Sequence, residues 1–235
     1  LNNPSSWAMK LATRGFSLGA DLLKENESSP FKRALGKTSL PVMEKVADQA
    51  MRLLAGKFVL GSTIEEALET SVKNMKRGYT YSFDMLGEAA FTEKDAALYY
   101  EEYFRAIQTM AKRSEGRGEL SGNSISVKLS ALHPRYSFAQ QERVMTELSE
   151  KLLKLCQAAF EANIALTVDA EESERLEISL KLIEQMALHP MLQGWHGLGL
   201  AVQAYQKRAV DVIDFLIDLA EKSQQRLNVR VVKGA

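Results

Sequence analysis

Apolar and polar positions alternate between two patterns along this chain. Short apolar runs recur at residues 81–86, 124–129, 164–172, 198–204 and 229–233. Runs of this length, rich in β-branched residues, read as buried strands. Between them lie segments with apolar residues at helical spacing, and the runs start about 30 to 45 residues apart, as repeated βα units require. The sharpest run is Ile164-Ala165-Leu166-Thr167-Val168-Asp169-Ala170-Glu171-Glu172, an apolar stretch that ends in three carboxylates. Residues i and i+2 of a strand share a face. A strand continued through Glu171 would therefore put Asp169 and Glu171 side by side. Residues 173–188 follow with Leu176, Leu180, Ile183 and Ala187 in helical register. A buried strand, acids at its carboxyl end and an amphipathic helix make one βα unit with a site at its top.

The same reading runs along the rest of the chain. Residues 1–78 read as a helical arm, and residues 79–235 as the alternating strand–helix part. Within the arm, Thr63-Ile64-Glu65-Glu66 is a capping box that opens a helix to about Lys76, and Gly78 suits its exit. Residues 92–112 read as a helix with Tyr99, Tyr103, Ala106, Ile107 and Met110 on one side. Residues 116–123, with three glycines, read as a loop. Ser137-Phe138-Ala139-Gln140 reads as a second capping box. The helix after it carries Val144, Leu148, Leu152, Leu155, Cys156 and Ala159 inward. Residues 206–223 form a helix with Val210, Ile213, Leu216, Ile217 and Ala220 expected inward.

Each strand carries a polar group late in an apolar context: Asp84, Lys128, Asp169, Gln203, and Arg230 with Lys233. One such residue would be an ordinary satisfied core group. Five in succession imply strand ends that converge on something polar. Lys128, between Val127 and Leu129, is costly to bury unless paired. It reads as an anion-binding group, a Schiff-base amine, or a lysine salt-bridged to Asp84 or Asp169. Five strands do not close a parallel barrel, which needs eight, but would complete a doubly wound sheet, so the count leaves both architectures open.

Charge narrows the function. Lys+Arg and Asp+Glu balance at 30 each, so no global field points to nucleic acid or a membrane surface. One cysteine excludes an intrachain disulfide and a multi-cysteine metal site. His133, His189 and His196 lack zinc-ligand spacing, so no metal is expected. No Gly-x-Gly-x-x-Gly follows a strand, which leaves a Rossmann dinucleotide site without support. No run is long enough to span a bilayer and no secretory signal is visible. The expected location is cytoplasmic, with peripheral association at the inner face of the membrane left open.

Several motifs together resemble one family. Ser126-Val127-Lys128-Leu129-Ser130-Ala131-Leu132-His133-Pro134-Arg135-Tyr136, Val168-Asp169-Ala170-Glu171-Glu172, Val202-Gln203-Ala204-Tyr205-Gln206-Lys207-Arg208 and Val229-Arg230-Val231-Val232-Lys233-Gly234-Ala235 look like the proline dehydrogenase domain of the bacterial proline utilization A flavoenzymes. Tyr81-Ser82-Phe83-Asp84-Met85-Leu86-Gly87-Glu88-Ala89 is similar to that family's first barrel strand, and residues 58–68 to the segment before it. The resemblance implies an α/β fold, a distorted (β/α)8 TIM-type barrel that binds FAD. Its implied activity is oxidation of L-proline to 1-pyrroline-5-carboxylate, the first step of proline catabolism to glutamate in a bifunctional enzyme. It assigns Asp169 and Arg230 to catalysis, and Lys128 with Asp84 to substrate binding. Ala170, Gln203, Arg230, Lys233, Gly234 and Ala235 are assigned to the flavin. A quinone or other electron acceptor and a homo-oligomeric parent are implied as well.

In that family three more strands follow, then a final helix whose paired arginines hold the proline carboxylate. The 235 residues are therefore expected to be a piece holding about five strands and the arm. For the isolated piece the expectation is weak flavin binding, no turnover, and association through the apolar edge of its fifth strand. Two other functions stay open on the residues: a Schiff-base aldolase-type barrel using Lys128, and a non-catalytic interaction module.

Overall fold

All five apolar runs become parallel strands that hydrogen-bond in strict sequence order. In the computed structural model they are β1 (Ser82–Asp84), β2 (Ser124–Val127), β3 (Ala165–Val168), β4 (Leu198–Gln203) and β5 (Asn228–Val232). The structure describes residues 59–86, 89–113 and 118–234. Expectations for earlier residues, and for Ala235, lie outside it. A doubly wound sheet reverses its strand order at a switch point. The order β1-β2-β3-β4-β5 has no reversal and is the arc of a barrel.

Register explains why the arc has a dry side and a wet side. Phe83, Ile125, Leu166 and Leu198 are cross-strand partners in turn, so they line one face, and all are buried. Asp84, Ser126, Thr167, Gly199 and Asn228 are likewise partners and line the other. Side chains alternate along a strand, so the apolar row goes under the helices and the polar row faces the concave interior. Register places Gly199 in the polar row, where a Cβ would come within 2.6 Å of the Asn228 carbonyl oxygen.

Helices connect the strands and cover the apolar face. They are α1 (Ile64–Met75), α2 (Glu93–Arg113), the single turns α3 (Gly118–Ser121) and α4 (Leu129–Leu132), then α5 (Gln141–Glu161), α6 (Leu176–Ala187) and α7 (Ala209–Ser223). The Thr63 hydroxyl accepts the Glu66 N–H at 3.2 Å, the cap expected for α1. Glu65 and Glu69 of α1 reach Arg105 and Arg113 of α2 across the surface, exposed pairs that stabilise little. The apolar stripe of α5 matches the expected one, with Val144, Leu148, Leu152, Leu155, Cys156 and Ala159 fully buried. Burial pushes the Cys156 thiol far above its ordinary value, which makes it an inert core group.

Three sequence expectations are corrected. Residues 118–121 of the expected loop close into the α3 turn. Ser137 makes no side-chain cap; a 3-10 turn at Phe138–Gln140 intervenes before α5 starts. In α7 the buried residues are Val212, Leu216, Leu219 and Ser223, while Val210 and Ile217 are exposed. That helix carries apolar residues on two stripes, and only tertiary packing chooses between them.

Just before the amino ends of β3 and β4, Trp195 is fully buried and stacks on Phe160, ring centroids 6.1 Å apart. Gly197 is what leaves room for it: a Cβ there would lie 2.3 Å from the indole Nε1. Gly197→Ala is expected to lower stability by about 1–3 kcal/mol through forced repacking of the indole. A urea unfolding midpoint checks this, and an unchanged midpoint contradicts it.

Candidate functional site

The concave face gathers its charge at the carboxyl ends of the strands. Lys128 is the first residue beyond β2 and Asp169 the first beyond β3, while Arg230 sits within β5. The Lys128 ammonium donates to Asp84 Oδ1 at 2.6 Å and to Asp169 Oδ2 at 3.3 Å. The other Asp169 oxygen, Oδ1, accepts from Arg230 Nη1 at 3.0 Å and from the Ser126 hydroxyl at 3.3 Å. Arg230 Nη2 then donates to Ser82 Oγ at 2.8 Å and Ser126 Oγ at 2.7 Å. The guanidinium thus crosses the concave face from β5 to β1 and β2. Two cations and two carboxylates balance, which lets partly desolvated charges stand together.

Lys128 is held as a cation. Burial pulls its pKa down, but the hydrogen bond and charge of Asp84, with those of Asp169, override it, and the net direction is upward. A lysine whose folded pKa is raised keeps its charged-state contribution below the ordinary lysine range. It loses that contribution only as pH climbs through the raised value. The ion pairs use two of its three N–H donors, which leaves one for a ligand.

Behind this cluster lies a second one. β3 ends at Val168, so Glu171 does not share the strand face of Asp169 as a continued strand would require. Glu171 instead accepts the Ser130 N–H at 3.0 Å and pairs with Arg175 at 2.9 Å. Its backbone oxygen accepts from the Gln203 amide at 2.6 Å. Gln203 therefore turns toward Glu171. It shares with Asp169 and Ala170 a recess between the ends of β3 and β4, walled by Tyr136 and Arg175. The Arg175 guanidinium lies 5.4 Å above the Tyr136 ring.

Of the residues expected in the site, Asp84, Lys128, Asp169 and Arg230 meet directly. Ala170 and Gln203 line the adjoining recess. Lys233 and Gly234 continue the end of β5, where the Lys233 carbonyl accepts the Tyr205 N–H at 3.1 Å. Gly234 adopts φ +93, and a Cβ there would strike the Tyr205 ring and the Gln203 carboxamide. Ala235 lies outside the described residues. Sequence reasoning missed Ser82 and Ser126. The signal was present, since each stands two residues before a residue singled out, Asp84 and Lys128, and i, i+2 share a face.

His133 lies in the loop just beyond α4, extended in backbone and buried. Its Nδ1 accepts the Arg135 N–H at 3.0 Å, so the neutral ring carries its proton on Nε2, which faces Glu147 Oε2 at 3.2 Å. Glu93 lies close enough to make a three-ligand set with His133 and Glu147. Arg143 and Lys151 already pair with these acids, and the Nε2 proton occupies the position a metal would need. The cluster ties the starts of α2 and α5 to the end of α4.

Comparison with known proteins places this arrangement. Residues 67–235 match the family model described as proline dehydrogenase. The bifunctional protein PutA of Salmonella typhimurium is 47% identical over 233 residues, which cover 99% of this chain and 17% of that protein. Proline dehydrogenase 1 of Bacillus subtilis strain 168 is 32% identical over 184 residues, 78% of this chain and 53% of that protein. A crystal structure of a Bradyrhizobium japonicum proline utilization A mutant superposes with a TM-score of 0.72 at 47% identity, covering 86% of this chain and 21% of that one. The chain thus spans about a sixth of the length of the PutA relatives it matches. The family match covers the five strands, the four residues that meet at their ends and the recess beside them, and by it the chain belongs to the proline dehydrogenase family.

Proposed function

We propose that this chain supplies the substrate-facing half of a flavin-dependent dehydrogenase that oxidises L-proline to 1-pyrroline-5-carboxylate. The observation that carries the reading is the Lys128–Asp169–Arg230 bridge, two cations fixed by one carboxylate at the carboxyl ends of parallel strands. Barrel enzymes of this topology place their chemistry at that end. The donor set suits a flavin: among the described residues Arg230 has no partner at Nε, and Gln203 and Lys233 stand at the ends of the neighbouring strands β4 and β5. A bound flavin supplies two-electron acceptor chemistry that no side chain here has. The residues bind and orient around it. Lys128 offers its remaining donor to the substrate carboxylate. Arg230 keeps positive charge fixed where an electron acceptor would gain negative charge, which favours the transition state. Asp169 holds both cations in register. FAD as the flavin, a quinone as the final acceptor, a homo-oligomeric parent and a cytoplasmic or membrane-peripheral location rest on the motif resemblance.

The direct test is anaerobic addition of L-proline to the purified, flavin-loaded full-length protein that carries this segment, the same material serving every kinetic test that follows. Bleaching of the visible flavin bands that saturates with proline is expected; bands that stay unchanged would sink the reading. Asp169→Asn removes the charge that holds both cations. It should lower kcat/KM for proline by about ten- to a hundred-fold, the range of a charged hydrogen bond. Steady-state kinetics check it, and wild-type values contradict it.

The Schiff-base reading asks the opposite of Lys128. A nucleophilic lysine amine needs a lowered pKa, and here two carboxylates raise it. Borohydride added at neutral pH with a carbonyl substrate should leave Lys128 unmodified by peptide mass mapping. A reduced adduct on Lys128 would favour the aldolase-type alternative.

A further inference from the structure

The Lys128 side chain can be no better placed than its backbone, and that backbone leaves the sheet at an awkward point. Val127 faces β3, since its carbonyl accepts the Asp169 N–H at 2.9 Å. Successive residues of a strand face opposite neighbours, so the Lys128 N–H faces the β1 side. There β1 has already stopped: its last registered pair with β2 is Asp84 with Ser126. The ladder offers Lys128 no partner. The phenolic oxygen of Tyr103, on α2, accepts that N–H at 3.2 Å. Tyr103 is 1% exposed, and burial pushes its hydroxyl up to about 12, so it stays a neutral hydrogen-bonding group.

Two amides of the turn that follows are pinned as well. Ser130 N–H goes to Glu171, and Ala131 N–H goes to the Lys128 carbonyl at 3.1 Å. Tyr103 holds the first amide of this turn from the helix layer. Among the described residues its hydroxyl is hydrogen-bonded to the Lys128 N–H and to neither carboxylate that grips the ammonium, whose charges reach it only through space, so its direct hold on the site is the backbone bond.

We infer that Tyr103 is a positioning residue for substrate binding, setting the Lys128 ammonium through the Lys128 backbone N–H. The inference rests on the proposed role of Lys128 at the substrate carboxylate. No charge change is involved, so the effect is geometric. Losing the acceptor frees the start of the turn, and the ammonium samples positions away from the ligand.

The test is Tyr103→Phe in the flavin-loaded protein, which removes the acceptor and keeps the ring in its buried slot. KM for proline, and the dissociation constant of tetrahydrofuran-2-carboxylate, a ring-oxygen analogue that keeps the carboxylate, should rise about three- to ten-fold, the net worth of one hydrogen bond. With binding weakened and chemistry intact, kcat should stay within about two-fold and flavin content should be unchanged. In a Lys128→Met background the same substitution should change kcat/KM no further, because the residue acts through Lys128. A Tyr103→Phe variant with a lower melting temperature but wild-type KM and analogue affinity would overturn the inference. So would an equal loss in the Lys128→Met background. If the wild type itself neither oxidises proline nor binds the analogue, the reading of Lys128 fails first, and the inference falls with it.

Discussion

One carboxylate, Asp169, touches both cations of the concave face. Its two oxygens are divided between Lys128 and Arg230, at 3.3 and 3.0 Å. Remove it, and two positive groups drawn from different strands would face each other partly desolvated. With it in place, β2, β3 and β5 are joined across the interior by side chains as well as through the ladder. Arg230 extends the tie to β1 through Ser82. A buried ionic bridge is weak evidence for stability, because desolvation offsets the attraction. Its geometry is better explained by what it positions: two cations whose spare donors face the same interior.

That bridge is possible because of how parallel strands alternate. Registered partners share a face, so a row of Asp84, Ser126, Thr167, Gly199 and Asn228 is polar from edge to edge while its neighbours are apolar. The apolar rows bury against α2, α5, α6 and α7 and supply the hydrophobic stabilisation, about 25 cal/mol for each square ångström removed from water. The polar row is free of that task. Division of labour between the two faces lets four ionisable groups collect at one end of the sheet without weakening the core.

Much of this was legible in the residues. Strand positions followed from short apolar runs, because burial on both sides removes polar alternation and leaves a strong signal. Lys128, Asp169 and Arg230 stood out because a charged residue in such a run is rarely without a partner. What was not legible depended on distance. Glu171 looked equivalent to Asp169, but the strand ended three residues earlier and turned it toward Ser130 and Arg175. Ser137 matched a capping pattern, yet a 3-10 turn intervened. Val210 and Ile217 fitted an apolar stripe as well as Val212 and Leu219 did, and only the packing of α7 decided. Tyr103 read as one more core aromatic on α2; its hydroxyl gained meaning only when β1 proved too short to satisfy Lys128. In each case the sequence determined residue type and period, while the length of a neighbouring strand or helix determined the partner.

The account turns on Lys128 being a binding cation and not a structural one. Its partners are only partly buried, with Asp84 44% exposed, and Asp169 keeps Arg230 when the ammonium is lost. Lys128→Met, which preserves the aliphatic stem, therefore isolates binding from folding. The decisive measurement is the proline concentration dependence of anaerobic flavin reduction in this variant beside the wild type. The account predicts a folded protein with normal flavin content whose half-saturating proline concentration rises about ten-fold or more. Wild-type half-saturation in the Lys128→Met protein would contradict it.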